Sequence, residues 1–192
     1  MSMSSLDRRD AVATLLKGRK DLVVVTGLGS ATYDVAAVGD HDRNVYLWGA
    51  MGGTATLALG LALAQPTTPV LVVTGDGEML MGMGAFATIA GKQPKNLSVV
   101  VLDNGLYGET GGQESHTATT DLAGVAKACG IADTRTITDQ AGVEAFAARV
   151  HALGAGPAVA VIKIKPGELT RVLPTRDGHA VRLRVRHALG VE

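Results

Sequence analysis

A single doubly wound α/β domain, with helices on both faces of a mainly parallel sheet, is the fold class this sequence predicts. Continuous apolar and β-branched runs of strand length at 22–26, 70–74, 97–102 and 158–163 read as parallel strands buried on both faces. Between them lie stretches with helical spacing, so strand and helix alternate along the chain. No composition break marks a linker, and 192 residues with 46% hydrophobic and 19% charged residues suit one domain, 1–192, with a substantial core.

Residues 6–16 have helical spacing, 22–26 is the first β-branched run, 31–38 is a short helix and 45–47 another strand. A helix rich in Ala, Leu and Gly from about 52 to 64 is stopped by Pro66. The runs at 70–74 and 97–102 follow. After them comes a long Gly-rich loop at 105–120, which is too long for a simple connection and has the character of a lid or binding loop. Helices at about 121–129 and 140–153 and strands near 134–137 and 158–163 complete the alternation. The Arg-rich tail alternates over 181–185 as an edge strand would, a solvated charged face being the plainer reading.

Composition narrows the function. Eighteen basic residues against eighteen acidic ones leave no net field for nucleic acid or an anionic membrane. The single Cys129 cannot form an internal disulfide and reads as a small core residue at a helix end. Residues 1–10 are polar and lack an apolar h-region, and no run reaches membrane-spanning length, so a cytoplasmic protein is expected.

Chemistry concentrates at two strand ends. Gly75-Asp76-Gly77-Glu78 follows the run at 70–74, and Asn104-Gly105 follows the run at 97–102, where α/β sheets bind ligands. Mg²⁺ takes oxygen ligands, commonly one or two from protein with phosphate oxygens completing the shell, a role that Asp76 and the Asn104 amide oxygen fit. Gly75 and Gly77 clear a close approach of backbone N–H groups to an anion, and Gly82 and Gly84 thin the helix that follows, so a diphosphate fits against that helix start. Glu78 falls in the first helical turn, where it complements the helix dipole but repels a diphosphate.

GDG followed by 26 residues and an Asn resembles the thiamine diphosphate motif. The stretches 75–82 and 102–113, the latter ending Thr110-Gly111-Gly112-Gln113, are similar to the diphosphate-binding half of 2-oxoacid decarboxylases, above all sulfopyruvate decarboxylase β subunits and phosphonopyruvate decarboxylases. The resemblance runs from Arg8-Arg9 to the tail at 173–178.

That resemblance implies thiamine diphosphate with Mg²⁺, held by Asp76, Asn104 and the Leu106 carbonyl, with cofactor contacts at Gly75, Gly77, Glu78, Tyr107 and Gly108. It also implies that the Gly49 carbonyl and the Met51 N–H grip the aminopyrimidine while the Met51 side chain wedges under the thiazolium and bends the cofactor, catalysis by proximity. The activating Glu belongs to a pyrimidine-binding domain that nothing here resembles, so a partner α subunit is expected to supply it, with self-association besides and little activity from this chain alone. The implied reaction is decarboxylation of a 2-oxoacid bearing a second anionic group, the thiazolium serving as electron sink while CO₂ leaves and an aldehyde is released. His116, Glu109 and Gln113 are the candidate proton-transfer residues in the loop. An Arg from the tail, among Arg171, Arg176, Arg182, Arg184 and Arg186, or one from the partner, would bind the second anion. Two other readings are a half-subunit of an acetolactate synthase-like carboligase or acetyl transferase, and a non-catalytic partner that keeps the fold.

Taken singly, these residues have plainer explanations. Asp76 suits a helix N-cap, Asn104-Gly105 a turn, and Met51 a core, while for His116 a solvated loop stands beside the catalytic role. The coincidence of Asp76 and Asn104 favours the site. The loop at 27–32 lacks the third Gly of a dinucleotide fingerprint and is read as lining the substrate entrance. Asp40-His41-Asp42 reads as a solvated loop rather than a metal cluster.

Overall fold

The computed structural model describes residues 6–191. The expectation of a polar start without an h-region rests partly on residues 1–5, outside that range. In chain order the elements are α1 (Arg8–Leu16), β1 (Val23–Thr26), α2 (Ser30–Val38), β2 (Asn44–Tyr46), α3 (Thr54–Ala64), β3 (Val70–Gly75), α4 (Asp76–Met81), α5 (Ala85–Lys92) and β4 (Leu97–Asp103). There follow β5 (Leu106–Tyr107), β6 (Gln113–Glu114), α6 (Leu122–Ala128), β7 (Asp133–Ile137), α7 (Gln140–Val150), β8 (Ala158–Lys163) and α8 (Gly178–Ala188).

Six strands form one all-parallel sheet in the order β2-β1-β3-β4-β8-β7. Its central strands are buried along their length, as sequences without polar alternation require. Successive side chains still point to opposite faces. Val24, Leu71, Val73 and Val100 join one core with the apolar residues of α1, α2, α7 and α8, while Val25, Val70, Val72 and Val99 join a second with α3, α5 and α6. Free Cys129 caps α6 half-buried against that second core. No helix among the described residues is long and apolar enough to cross a membrane.

The strand order reverses between β1 and β3, because the chain runs outward to β2 and then returns to the other side of β1. At such a switch point the loops after the two strands diverge and leave a crevice at their carboxyl ends. Here those loops are 27–29 and the Gly75-Asp76 junction.

Three elements differ from expectation. Gly82 and Gly84, expected to thin one helix, instead separate two, Gly82 as the C-cap of α4 and Gly84 as the N-cap of α5. The loop at 105–120 contains a hairpin of two-residue strands, with Leu106 opposite Glu114 and Tyr107 opposite Gln113, and two 3₁₀ turns at 108–110 and 116–118. Strands that short carry no readable period. The stretch 181–185 is helical, since the Asp177 carboxylate caps α8 by accepting from the His179 and Ala180 N–H groups, and Val181 and Val185 lie one turn apart on the buried face.

Asp40, expected in a solvated loop, anchors α8 to the sheet edge. Arg184 donates to both its oxygens at 2.6 and 3.0 Å, and Tyr46 donates to Oδ1 at 2.7 Å. Burial pushes the Asp40 carboxyl up, but Arg184, Tyr46 and the His41 N–H outweigh it and hold it down at about 2, below the ordinary 3.8. A lowered acid adds stability above its unfolded value and loses it as pH falls through the folded one. Unfolding in urea should therefore show a component present above about pH 4 and lost toward about pH 2, and Asp40→Asn should remove it. An unchanged pH profile in that variant would disprove the tether.

Candidate functional site

Parallel pairing sets the site. Thr74 lies opposite Val101 and Gly75 opposite Leu102, so the next residues, Asp76 and then Asn104, leave adjacent strands at the same end of the sheet. Both line a cavity of about 300 Å³ at the switch point, together with Gly75, Gly77, Met51 and the Leu28–Ser30 stretch after β1. Of the loop at 27–32, Leu28 to Ala31 line this cavity, while Thr32 turns inward to the Thr26 hydroxyl and the Gly27 carbonyl.

Asp76 is not the N-cap of α4; that is Gly75, and Asp76 opens the helix. Its carboxylate is 2% exposed and accepts from the Ser115 hydroxyl at 2.5 Å. Burial, joined by the charge of Asp103, pushes this carboxyl above the ordinary carboxylate range, while Ser115 and the Asp76 and Gly77 N–H groups pull the other way. A divalent cation would offset the cost of holding that charge in a buried site. Ser115 also shares a 3.0 Å hydrogen bond with Thr117, which donates to Asp103 Oδ1 at 2.9 Å, and Lys163 pairs with Asp103 Oδ2 at 2.5 Å. This chain of hydroxyls ties the loop to the acidic pair.

Asn104 makes the expected turn, its Oδ1 accepting from the Leu106 N–H at 3.0 Å. An amide oxygen has a second lone pair, so the turn and a metal contact are compatible. A carboxylate, an amide oxygen and the Leu106 carbonyl make a hard-oxygen set suited to Mg²⁺ with phosphate oxygens in the remaining positions. No cluster of three or more His, Cys, Asp or Glu suited to a metal occurs among the described residues, Asp40-His41-Asp42 included.

Glu78 sits in the first turn of α4 but turns inward, where Thr54 donates to Oε1 and Thr74 donates to Oε2 at 2.7 Å. Gly27 makes this possible, since a Cβ there would fall 1.8 Å from Glu78 Oε2. On the other side, a Cβ at Gly77 would fall 2.5 Å from the Tyr107 ring, so that ring lies directly over the α4 backbone. Met51 lines the cavity and is 36% exposed, whereas Gly49 turns at φ +71 outside it. Gly52, at φ +86, lies backbone to backbone against Gly82, which holds the Met51 loop beside α4.

The loop residues separate. Leu106, Tyr107, Gly108 and Glu109 line the cavity. His116 is exposed on a 3₁₀ turn with its ring edge-on to Tyr107, and Gln113 is exposed and bonded to Thr110, so neither faces the cavity. Of the tail arginines, Arg171 lies over Tyr33, Arg176 over Trp48 and Arg184 over Tyr46, and Arg171 lines a second cavity beside the first. The sequence reading missed Ser115 and Arg8, which line or support the site from distant parts of the chain. The Thr-Gly-Gly-Gln run just before Ser115 was the available signal for the first.

Residues 27–164 match the family described as thiamine pyrophosphate enzyme, C-terminal TPP binding domain. The chain is 38% identical over 126 residues to the sulfopyruvate decarboxylase subunit beta of Methanococcus maripaludis, covering 66% of this chain and 68% of that protein. It is 39% identical over 150 residues to a phosphonopyruvate decarboxylase of Streptomyces viridochromogenes, covering 78% of this chain and 37% of the other, so it spans little more than a third of that relative. Benzoylformate decarboxylase from Polynucleobacter necessarius shares the fold with a TM-score of 0.71 at 17% identity, over 87% of this chain and 34% of that one. The chain belongs to the thiamine pyrophosphate enzyme family, in its C-terminal TPP binding domain.

Proposed function

We propose that this chain is the diphosphate-binding β subunit of a thiamine diphosphate- and Mg²⁺-dependent decarboxylase of 2-oxoacids that carry a second anionic group, of the sulfopyruvate or phosphonopyruvate type. The observation that carries this reading is the convergence of Asp76 and Asn104 on one cavity at the switch point. Asp76, Asn104 and the Leu106 carbonyl hold the metal, and Gly75, Gly77 and Gly108 let backbone approach the diphosphate. Met51 supports the bent cofactor. When bound, the cofactor supplies the electron sink that decarboxylation needs. A partner α subunit contributes the activating Glu and closes the exposed side of Met51. Within this chain Glu109 is assigned the proton transfer, a reading supported by its lining the cavity that His116 and Gln113 do not line.

Ser115 orients the metal-binding carboxylate, and loss of such an outer partner typically costs about 10- to 100-fold in metal affinity. Ser115→Ala should weaken Mg²⁺ binding by that order, and Ser115→Thr should restore most of it; equal affinity in all three proteins would remove Ser115 from the role.

The test of function is CO₂ release by this chain mixed with the protein of the adjacent reading frame, with thiamine diphosphate and Mg²⁺. Sulfopyruvate or phosphonopyruvate should be consumed faster than pyruvate, with aldehyde formed in equal amount. Ligation products in place of aldehyde would overturn decarboxylation in favour of carboligation.

A further inference from the structure

Glu78 is a buried acid of the site to which the functional reading gives no task. It is 3% exposed, and among the described residues no cation pairs with it. Two hydroxyls hold its carboxylate, Thr54 donating to Oε1 and Thr74 donating to Oε2 at 2.7 Å. A carboxyl buried among hydroxyls costs more than an apolar side chain of the same volume, so the stability of the fold does not account for it. A fully satisfied buried polar network instead fixes one arrangement of the elements that it joins.

The elements joined here are the two halves of the site. Thr74 precedes Gly75 and Asp76 at the end of β3, and Glu78 lies in the first turn of α4. Thr54 opens α3, directly after the loop at 49–53 that carries Met51. That loop has little of its own to hold it. Three of its five residues are Gly, with Gly49 at φ +71 and Gly52 at φ +86, and the α3 N-cap, Gly53, has no side chain to bond. Thr54 is therefore the first residue after Met51 whose side chain can anchor the loop. The Glu78 backbone acts on the same stretch, since its carbonyl accepts from the Gly82 N–H at 3.1 Å and ends α4 where Gly82 packs on Gly52.

We propose that Glu78 is a positioning residue whose buried carboxylate locks the start of α3, and with it the Met51 loop, to the β3–α4 turn that bears Asp76. The proposal rests on the functional reading above, in which one of these segments grips the diphosphate and the other supports the ring. The hydrogen bond between Thr54 and Glu78 sets the spacing between them.

Hydrogen exchange of the full chain without cofactor or metal tests the lock itself. Thr54→Val keeps the shape and loses the hydroxyl, Glu78→Met keeps the length and loses the acceptor, and each should speed exchange of the amides at 50–57 several-fold. Adding Thr54→Val to Glu78→Met should add nothing further there, because both break one contact. Thr54→Ser and Glu78→Gln retain the donor and an acceptor and should exchange as the parent does. Parental exchange in a folded Thr54→Val or a folded Glu78→Met, or additive effects in the double variant, would overturn the proposal.

Titration separates this role from the metal site. In the mixture with the protein of the adjacent reading frame, Thr54→Val should weaken thiamine diphosphate binding about 10-fold, an ordinary coupling between touching groups. Binding of inorganic pyrophosphate with Mg²⁺ should stay parental, since pyrophosphate has no ring to support. Unchanged thiamine diphosphate affinity, or an equal loss for both ligands, would overturn the positioning role. The functional reading fails separately, if Asp76→Asn leaves Mg²⁺-dependent pyrophosphate binding unchanged while exchange at 50–57 still responds to Thr54→Val.

Discussion

Asp76→Asn is expected to weaken Mg²⁺-dependent thiamine diphosphate binding by more than about 100-fold while the metal-free protein remains at least as stable as the parent. The two halves of that result have one cause. Asp76 is buried at 2% exposure, its carboxyl is pushed up first by burial and then by Asp103, and the Ser115 hydroxyl and two N–H groups support the charge. Without a cation the charged form is costly to bury, so an isosteric amide that cannot ionise relieves the fold. With a cation, the same charge is the strongest ligand in the set. Urea unfolding without metal and calorimetric titration with it read the two halves separately. A variant that lost stability without metal, or kept its affinity with it, would contradict the assignment.

Gly82→Ala should have the largest effect on the fold. A Cβ there would fall 2.2 Å from the Gly52 carbonyl oxygen, a backbone atom, so no side chain can rotate away. Overpacking of this kind costs about 3 kcal/mol, at the upper end of the usual range. For a domain of this size that is a fall in Tm of roughly 6–12 °C. The relief available is a shift of the 49–53 loop away from α4, which would carry Met51 away from Asp76. Cofactor affinity should therefore fall together with stability. A fall in Tm with unaltered affinity would show that the Gly52–Gly82 contact serves the fold and does not place Met51.

The parallel strands were legible because strands buried on both faces need continuous apolar runs, and 158–163 reads as β8 to the residue. Asp76 and Asn104 were legible for a related reason, since each ends such a run and the parallel register carries both to one edge. What escaped depends on contacts across the fold. Ser115 meets Asp76 only once the hairpin at 106–114 folds back, and strands of two residues leave no period to read. Arg8 is an ordinary helical arginine until Asp34 and the Gly167 carbonyl turn it toward the cavity. Gly27 reads in the sequence only as part of an entrance loop, and that its lack of a side chain makes room for the Glu78 carboxylate appears only in the folded chain. In the tail, Val181 and Val185 satisfy both a two-residue and a four-residue period, and the Asp177 cap decides for the helix.

The most direct measurement is calorimetric titration of thiamine diphosphate, with and without Mg²⁺, into this chain alone and then mixed with the protein of the adjacent reading frame. Tight binding in the mixture that requires both Mg²⁺ and Asp76 is the expected result, and it places the cofactor between two subunits on the β1–β3 switch point. Absence of Mg²⁺-dependent binding in both samples would contradict the reading of Asp76 and Asn104 as the metal and diphosphate site.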